Sequence, residues 1–293
     1  MKLELITRGS EKLRDFYRRN RYVVRSGKNG MKYVSLESVA MDVINLSLKN
    51  SKTGDVIAFN LPVELTCDHK CECYSKKACY ACHGCYQFLS NQAIYAENLN
   101  YFLHHTDIEF ISEMVTRIKR HRSRVLFRWF TCGDIPNTRF LKCMIEIARQ
   151  CPDVKFWTYT KKYMIINTVV NECGLDYIPE NLHIIFSHWM NEDGSYYPMP
   201  NPYKFPTSEF IPYGKEEMLN TVTYVCPCSN PSVTEKCMNC SHPCYELKHG
   251  QSMALVEHST DRTKARDKAI KAAHAHGGLT VENLVTFLKS FIA

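Results

Sequence analysis

Eleven of the chain's fifteen cysteines fall in two short stretches, a density of thiols that points to metal ligation. The first, TCDHKCECYSKKACYACHGCY, carries Cys67, Cys71, Cys73, Cys79, Cys82 and Cys85 within nineteen residues, with His69 and His83 among them. The second, VCPCSNPSVTEKCMNCSHPCY, carries Cys226, Cys228, Cys237, Cys240 and Cys244, where C-x2-C-x3-C follows an earlier C-x-C. Zinc and iron–sulfur centres both take thiolates, and a short loop wraps several of them round one centre at low entropic cost. Unligated cysteines are usually buried singly as small hydrophobes, not crowded into a lysine-containing loop. A zinc ribbon wants two C-x2-C knuckles and the second stretch supplies one, at Cys237 and Cys240, so iron–sulfur is preferred and zinc is the alternative. Two clusters of the 4Fe-4S type are expected. The thiols exceed what two four-thiolate centres need, which leaves room for an electron-transfer role or a larger iron–sulfur assembly.

The remaining cysteines divide. Cys143 and Cys151 lie on the apolar face of a predicted helix and Cys173 precedes a predicted helix end, so all three read as structural. Cys132 stands at a strand end before Gly133 and Asp134, where a close backbone approach and a carboxylate suit cofactor binding.

The elements that must position these residues alternate. Six β-rich runs (56–62, 124–134, 154–161, 182–189, 221–228 and 252–259) are separated by helical stretches at 86–105, 107–122, 137–151 and 161–173, the last ending at Gly174 as a C-cap. This alternation predicts an α/β fold, a partial (β/α)6 barrel-like parallel sheet with cysteine-rich loops at the C-terminal ends of its strands. Both cysteine groups would then face one cavity, lined by the strand-end residues Arg128, Asp134, Lys161, Ser187, His188 and His258. The stretch from Met190 to Tyr213, with five prolines, reads as one long loop, and the chain's end as two helices.

Composition sets the compartment and the partners. With 293 residues, 45% of them hydrophobic, the chain can bury one large core. We expect a basic N-terminal segment, residues 1–54, packed on a single metal-binding domain, residues 55–293. No run is long and apolar enough for a membrane span, and the charged start does not read as a signal peptide, so a cytosolic protein without membrane contact is expected. In that reducing compartment close-spaced thiols favour metal over disulfides. The net charge of +7 favours polyanions, and Arg14, Arg18, Arg19, Arg21 and Arg25 interleave with Phe16, Tyr17 and Tyr22 as in nucleic-acid binders. A solvated basic helix face is the plainer account of that segment.

Phe59-Asn60-Leu61-Pro62, Cys67, Cys79-Tyr80-Ala81, Gly133-Asp134, Tyr159-Thr160-Lys161 and the Cys237, Cys240, Cys244 group together resemble a phage-encoded family named after gene product eighty-eight, over about residues 57–258. Cys82 and Cys85 are additional to that pattern, and a phage origin implies the host cytosol. More distantly, the layout is similar to radical S-adenosylmethionine enzymes, in which three cysteines after the first strand hold a cluster with one open iron. Their C-x3-C-x2-C spacing is absent: Cys67-x3-Cys71 begins it and the next thiol is Cys73. That resemblance implies Cys67, Cys71 and Cys79 as the catalytic set, the second group as auxiliary, Gly133 and Asp134 near the cofactor, and an electron donor as partner. The competing expectation is a metal-stabilised nucleic-acid-binding protein without catalysis.

Overall fold

The structure, a computed structural model, describes residues 22–27, 31–48, 53–68, 71, 79–82, 84–189, 195–211, 222–227, 236–256 and 268. The basic segment through Arg21, the residues His69, Cys73, His83, Cys228 and His258, and the expected C-terminal helices apart from Lys268 lie outside the described residues. Two short antiparallel strands, β1 (Val24–Ser26) and β2 (Lys32–Val34), come first. Arg25 therefore sits on a strand and not on a helix face, paired through its guanidinium with Glu37 at 2.9 Å.

A seven-stranded, wholly parallel sheet follows. Its members are β3 (Ile57–Phe59), β4 (Leu126–Trp129), β5 (Lys155–Thr160), β6 (Leu182–His188), β7 (Thr207–Ile211), β8 (Tyr224–Val225) and β9 (Ser252–Val256), in spatial order β3, β4, β5, β6, β7, β9, β8. All six expected strands are present, each shorter than its apolar run. The seventh, β7, corrects the reading of residues 190–213 as one loop. Pro206 and Pro212 made that stretch look strandless, but they bracket Thr207–Ile211 without entering it, so no ladder donor is lost. Pairing of β7 with β6 and β9 places it inside the sheet and pushes β8 to the edge. Within the described residues the sheet is open, with β3 and β8 at its edges.

The helices are α1 (Val63–Thr66), α2 (Leu89–His104), α3 (Asp107–Lys119), α4 (Thr138–Gln150) and α5 (Tyr163–Cys173). Each starts or stops where local chemistry says it should. Thr106 and Glu109 close a capping box on α3, the Asn137 side chain accepts from Phe140 N at 2.9 Å to open α4, and Gly174, at φ +90°, ends α5. The apolar stripe of α4, including the expected Phe140, Met144 and Ile147, is fully buried.

Alternation along the strands sorts side chains between two faces. Phe127, Trp129, Phe156, Ile184 and Phe186 enter one large core with Phe102 of α2, Phe110 of α3, Phe140 of α4 and Ile166 of α5. Leu126, Trp157, Tyr159, Ile185 and Met253 form a second core on the other face, covered by Tyr245, Leu247 and the cysteines of the second group. The helices thus hold the sheet from one side and leave the other to the cysteine-rich chain. Residues 31–46 are tied on through α2: Val34 packs with Ala93 and Ala96, while the buried Asn98 side chain exchanges hydrogen bonds with the backbone of Asn45.

Candidate metal centre

The ends of β3 and β4 are locked together before either reaches a cysteine. Asn60 Oδ1 accepts from Thr131 N, Thr131 Oγ1 and Cys132 N at 2.8, 2.6 and 3.1 Å, and Leu61 N donates to the Cys132 carbonyl at 3.0 Å. Pro62 then opens the single turn of α1, and Thr66 Oγ1 donates back to the Pro62 carbonyl while accepting from Asp134 N. Cys67 is the next residue. Gly133 is required here for space and conformation: its φ is +89°, and a Cβ would stand 2.6 Å from the Leu61 carbonyl oxygen.

These constraints bring together thiols from distant segments. Cys67, Cys71, Cys79, Cys82 and the buried Cys132 pack with Val63, Ala81, Tyr95 and Tyr86 in one cluster. Burial pushes the Cys67 thiol well up, and the neighbouring Asp134, Cys79, Cys132 and Cys71 push it further. Cys132 is raised in the same way, by burial first and then by Cys79, with Cys85 adding to it. Acids crowding one another in a dry site stay neutral unless a positive charge joins them, and a bound metal ion is such a charge. The donor set therefore suits a thiophilic metal. Among the described residues no three His, Cys, Asp or Glu side chains converge closely enough to hold a metal ion, and Cys73 and the histidines of this loop lie outside them. Cys132 had been marked by its strand-end position but not as a ligand; its place beside Cys67 and Cys79 follows from the parallel pairing of β3 with β4.

The second group lies on the face of the sheet away from the helices. Cys226 follows β8, and Cys237, Cys240 and Cys244 occupy successive short turns. Met238 N donates to the Thr53 carbonyl, Tyr245 packs on Trp157, and Lys155 pairs with Glu246, so the loop is fastened toward the N-terminal ends of β3 and β5. Tyr159 OH donates to Cys244 Sγ at 2.7 Å, with Met253 Sδ 3.4 Å from each. Burial pushes the Cys244 thiol up to about 12, against the lowering effect of the Tyr159 hydrogen bond. The two cysteine groups are thus in separate packing clusters, one at the strand ends and one on the sheet face.

The other strand-end candidates are already engaged. Asp134 is buried and accepts from Ile135 N, Thr160 Oγ1 and Lys161 N at 2.7, 2.6 and 3.0 Å. It joins the end of β4 to the end of β5, and with Gly133 it has a structural role in its own right. Lys161 Nζ donates to Ser187 Oγ at 3.1 Å and lies over the Trp189 ring. His188 Nδ1 is 2.9 Å from Glu209 Oε2, its Nε2 is 3.1 Å from the Tyr197 carbonyl, and its ring stacks on Tyr196. Glu209 was hidden from sequence reading with the rest of β7; the apolar alternation around it in Thr-Ser-Glu-Phe-Ile was the available signal. The largest cavity described, about 840 Å³, lies at the opposite ends of the strands, between Leu182, Pro206 and Leu247, and no cysteine lines it.

Outside both groups, Cys143 is buried on α4 with its thiol pushed up to about 12 by burial, whereas Cys173 is exposed. In the native protein at pH 8, Cys173 is expected to react with iodoacetamide at least about tenfold faster than Cys143, as peptide mass mapping would show. Equal rates would mean that α4 is not packed as described.

Fold and site together define a wholly parallel α/β protein, with helices on one face and two thiol groups at its strand ends and opposite face. The family model described as Gene product 88 matches residues 39–202, and the chain belongs to that family. The match ends before the second cysteine group, short of the stretch to residue 258 over which the resemblance had been read. No curated protein and no solved structure matches the chain.

Proposed function

We propose that this chain is an iron–sulfur protein, with one centre held by Cys67, Cys71 and Cys79 beside Cys132 and a second by Cys226, Cys237, Cys240 and Cys244. The observation that carries the reading is the packing of Cys67, Cys71, Cys79 and Cys132, from segments up to 65 positions apart, into one dry group in which each thiol raises the next. Such a group has little reason to exist as free thiols. When bound, an iron–sulfur cluster supplies one-electron chemistry, at a potential set by the charges and hydrogen bonds around it. The one-sided winding of helices on an open parallel sheet agrees with a partial barrel, whose reactive groups gather at the C-terminal strand ends. Lys161, Ser187, His188 and Glu209 would then line the substrate side of the first centre. Three thiolates would leave one iron open to S-adenosylmethionine, which is the enzymatic form of the proposal.

Iron and acid-labile sulfide should both be present in the full chain purified without oxygen. Cys67→Ser combined with Cys79→Ser should remove about half of each, by emptying one of two equal four-thiolate centres. Zinc without sulfide would replace the iron–sulfur reading with a structural zinc one, and absence of any metal would sink both. If iron is present, incubation with reductant and S-adenosylmethionine decides the enzymatic form by whether the cofactor is cleaved.

A further inference from the structure

Arg128, in the middle of β4, is a cation without an obvious counterion. Its guanidinium carbon stands 5.3 Å from the centre of the Tyr159 ring, and its Nε is fully buried with no hydrogen-bond partner. The acidic groups whose fields reach it most strongly are Tyr80, Tyr159, Cys237 and Tyr86, among which there is no carboxylate. Tyr80 lies between Cys79 and Cys82 of the first cysteine loop and donates its hydroxyl to the Thr131 carbonyl. Cys237 belongs to the second group, and Tyr159 connects Arg128 to Cys244 through its own hydroxyl. The guanidinium therefore sits between the two cysteine loops.

Removing a guanidinium from water costs several kcal/mol unless an opposite charge meets it. Phenols and thiols are neutral near pH 7, and burial drives the Tyr159 phenol further from ionising. Metal binding, by contrast, requires deprotonated sulfur and leaves a tetrathiolate site with net negative charge. That charge is what Arg128 lacks among its neighbours.

We propose that Arg128 is the buried countercharge of the anionic thiolate–metal centre formed by Cys226, Cys237, Cys240 and Cys244. It is a positioning residue that acts through the ligands, aided by the Tyr159 hydroxyl on Cys244. The inference rests on the metal-centre reading above and adds to it the charge state of the second centre. A nearby positive charge favours the reduced cluster, which carries one more negative charge, so Arg128 raises that centre's reduction potential.

The test uses the full chain with Cys67→Ser and Cys79→Ser, so that the second centre is read by itself. Into it go Arg128→Met, which keeps length without charge, and Arg128→Lys, which keeps charge without the planar fork. Loss of iron to excess EDTA under anaerobic conditions should be about 10- to 100-fold faster for Arg128→Met, the usual scale for losing an outer-shell partner, and within about threefold of the parent for Arg128→Lys. The Arg128→Met potential should also move to a lower value. Unchanged retention and potential in Arg128→Met would overturn the proposal, and so would equal loss from both variants, which would mean shape and not charge is at stake. Should Arg128→Met fail to fold, Tyr159→Phe reads the same link: it should speed iron loss while Arg128→Lys does not, and iron loss at the parent's rate would overturn the proposal. A parent protein without metal would overturn the metal reading itself, and this inference with it.

Discussion

Asp134→Ala is expected to destabilise the protein by roughly 3–6 kcal/mol in urea unfolding. The substitution leaves the Thr160 hydroxyl, Lys161 N and Ile135 N without their acceptor in a buried site, at about 1–3 kcal/mol for each such group. Asp134→Asn keeps one oxygen for Ile135 and Thr160 and loses the acceptor for Lys161 N, so about 1–3 kcal/mol is expected. The pH dependence has a definite sign. Burial raises the Asp134 carboxyl above its ordinary 3.8, more than its hydrogen bonds lower it. Between 3.8 and the folded value the unfolded chain has lost the proton that the folded one keeps, so stability from this group falls as pH rises through that window and is level above it. The advantage of the wild type over Asp134→Asn should therefore narrow with rising pH across that window. A cost below about 1 kcal/mol for Asp134→Ala would show that the carboxylate does not join β4 to β5 as described.

Phe140→Ala should be of similar size, at about 3–5 kcal/mol. Phe140 is fully buried where α4 meets the sheet, with ring centres 4.7 Å from Phe102, 5.4 Å from Phe110, 5.7 Å from Phe130 and 5.8 Å from Trp129. Those neighbours come from α2, α3 and the end of β4, so a cavity there cannot be closed by one element moving. At roughly 2–4 °C per kcal/mol for a chain of this size, the melting temperature should fall by about 10 °C. Phe140→Leu fills most of the volume and should recover more than half of the loss. A fall of only a degree or two for Phe140→Ala would mean that this aromatic core is loosely packed.

How much of this was legible beforehand depends on the range of the forces involved. The helix from Thr138 was legible because its stripe of Phe140, Met144 and Ile147, its Asn137 cap and its stop before Pro152 are all local. Gly174 was legible for the same reason. β7 was not, because its five residues between two prolines carry too little periodicity to outweigh those prolines, and only its pairing with β6 and β9 makes it a strand. With it Glu209, the partner of His188, stayed hidden.

The cysteine groups divide along the same line. Residue type and spacing alone determined that Cys67 to Cys85 and Cys226 to Cys244 are the places where thiolate chemistry is to be sought, because a dense run of thiols in a polar loop is a local fact. That Cys132 joins the first group, that Arg128 stands between the two, and that the second group covers a sheet face and not the strand ends were decided by tertiary structure. Each depends on which strands pair and in what register, a long-range outcome of burying two faces of one sheet.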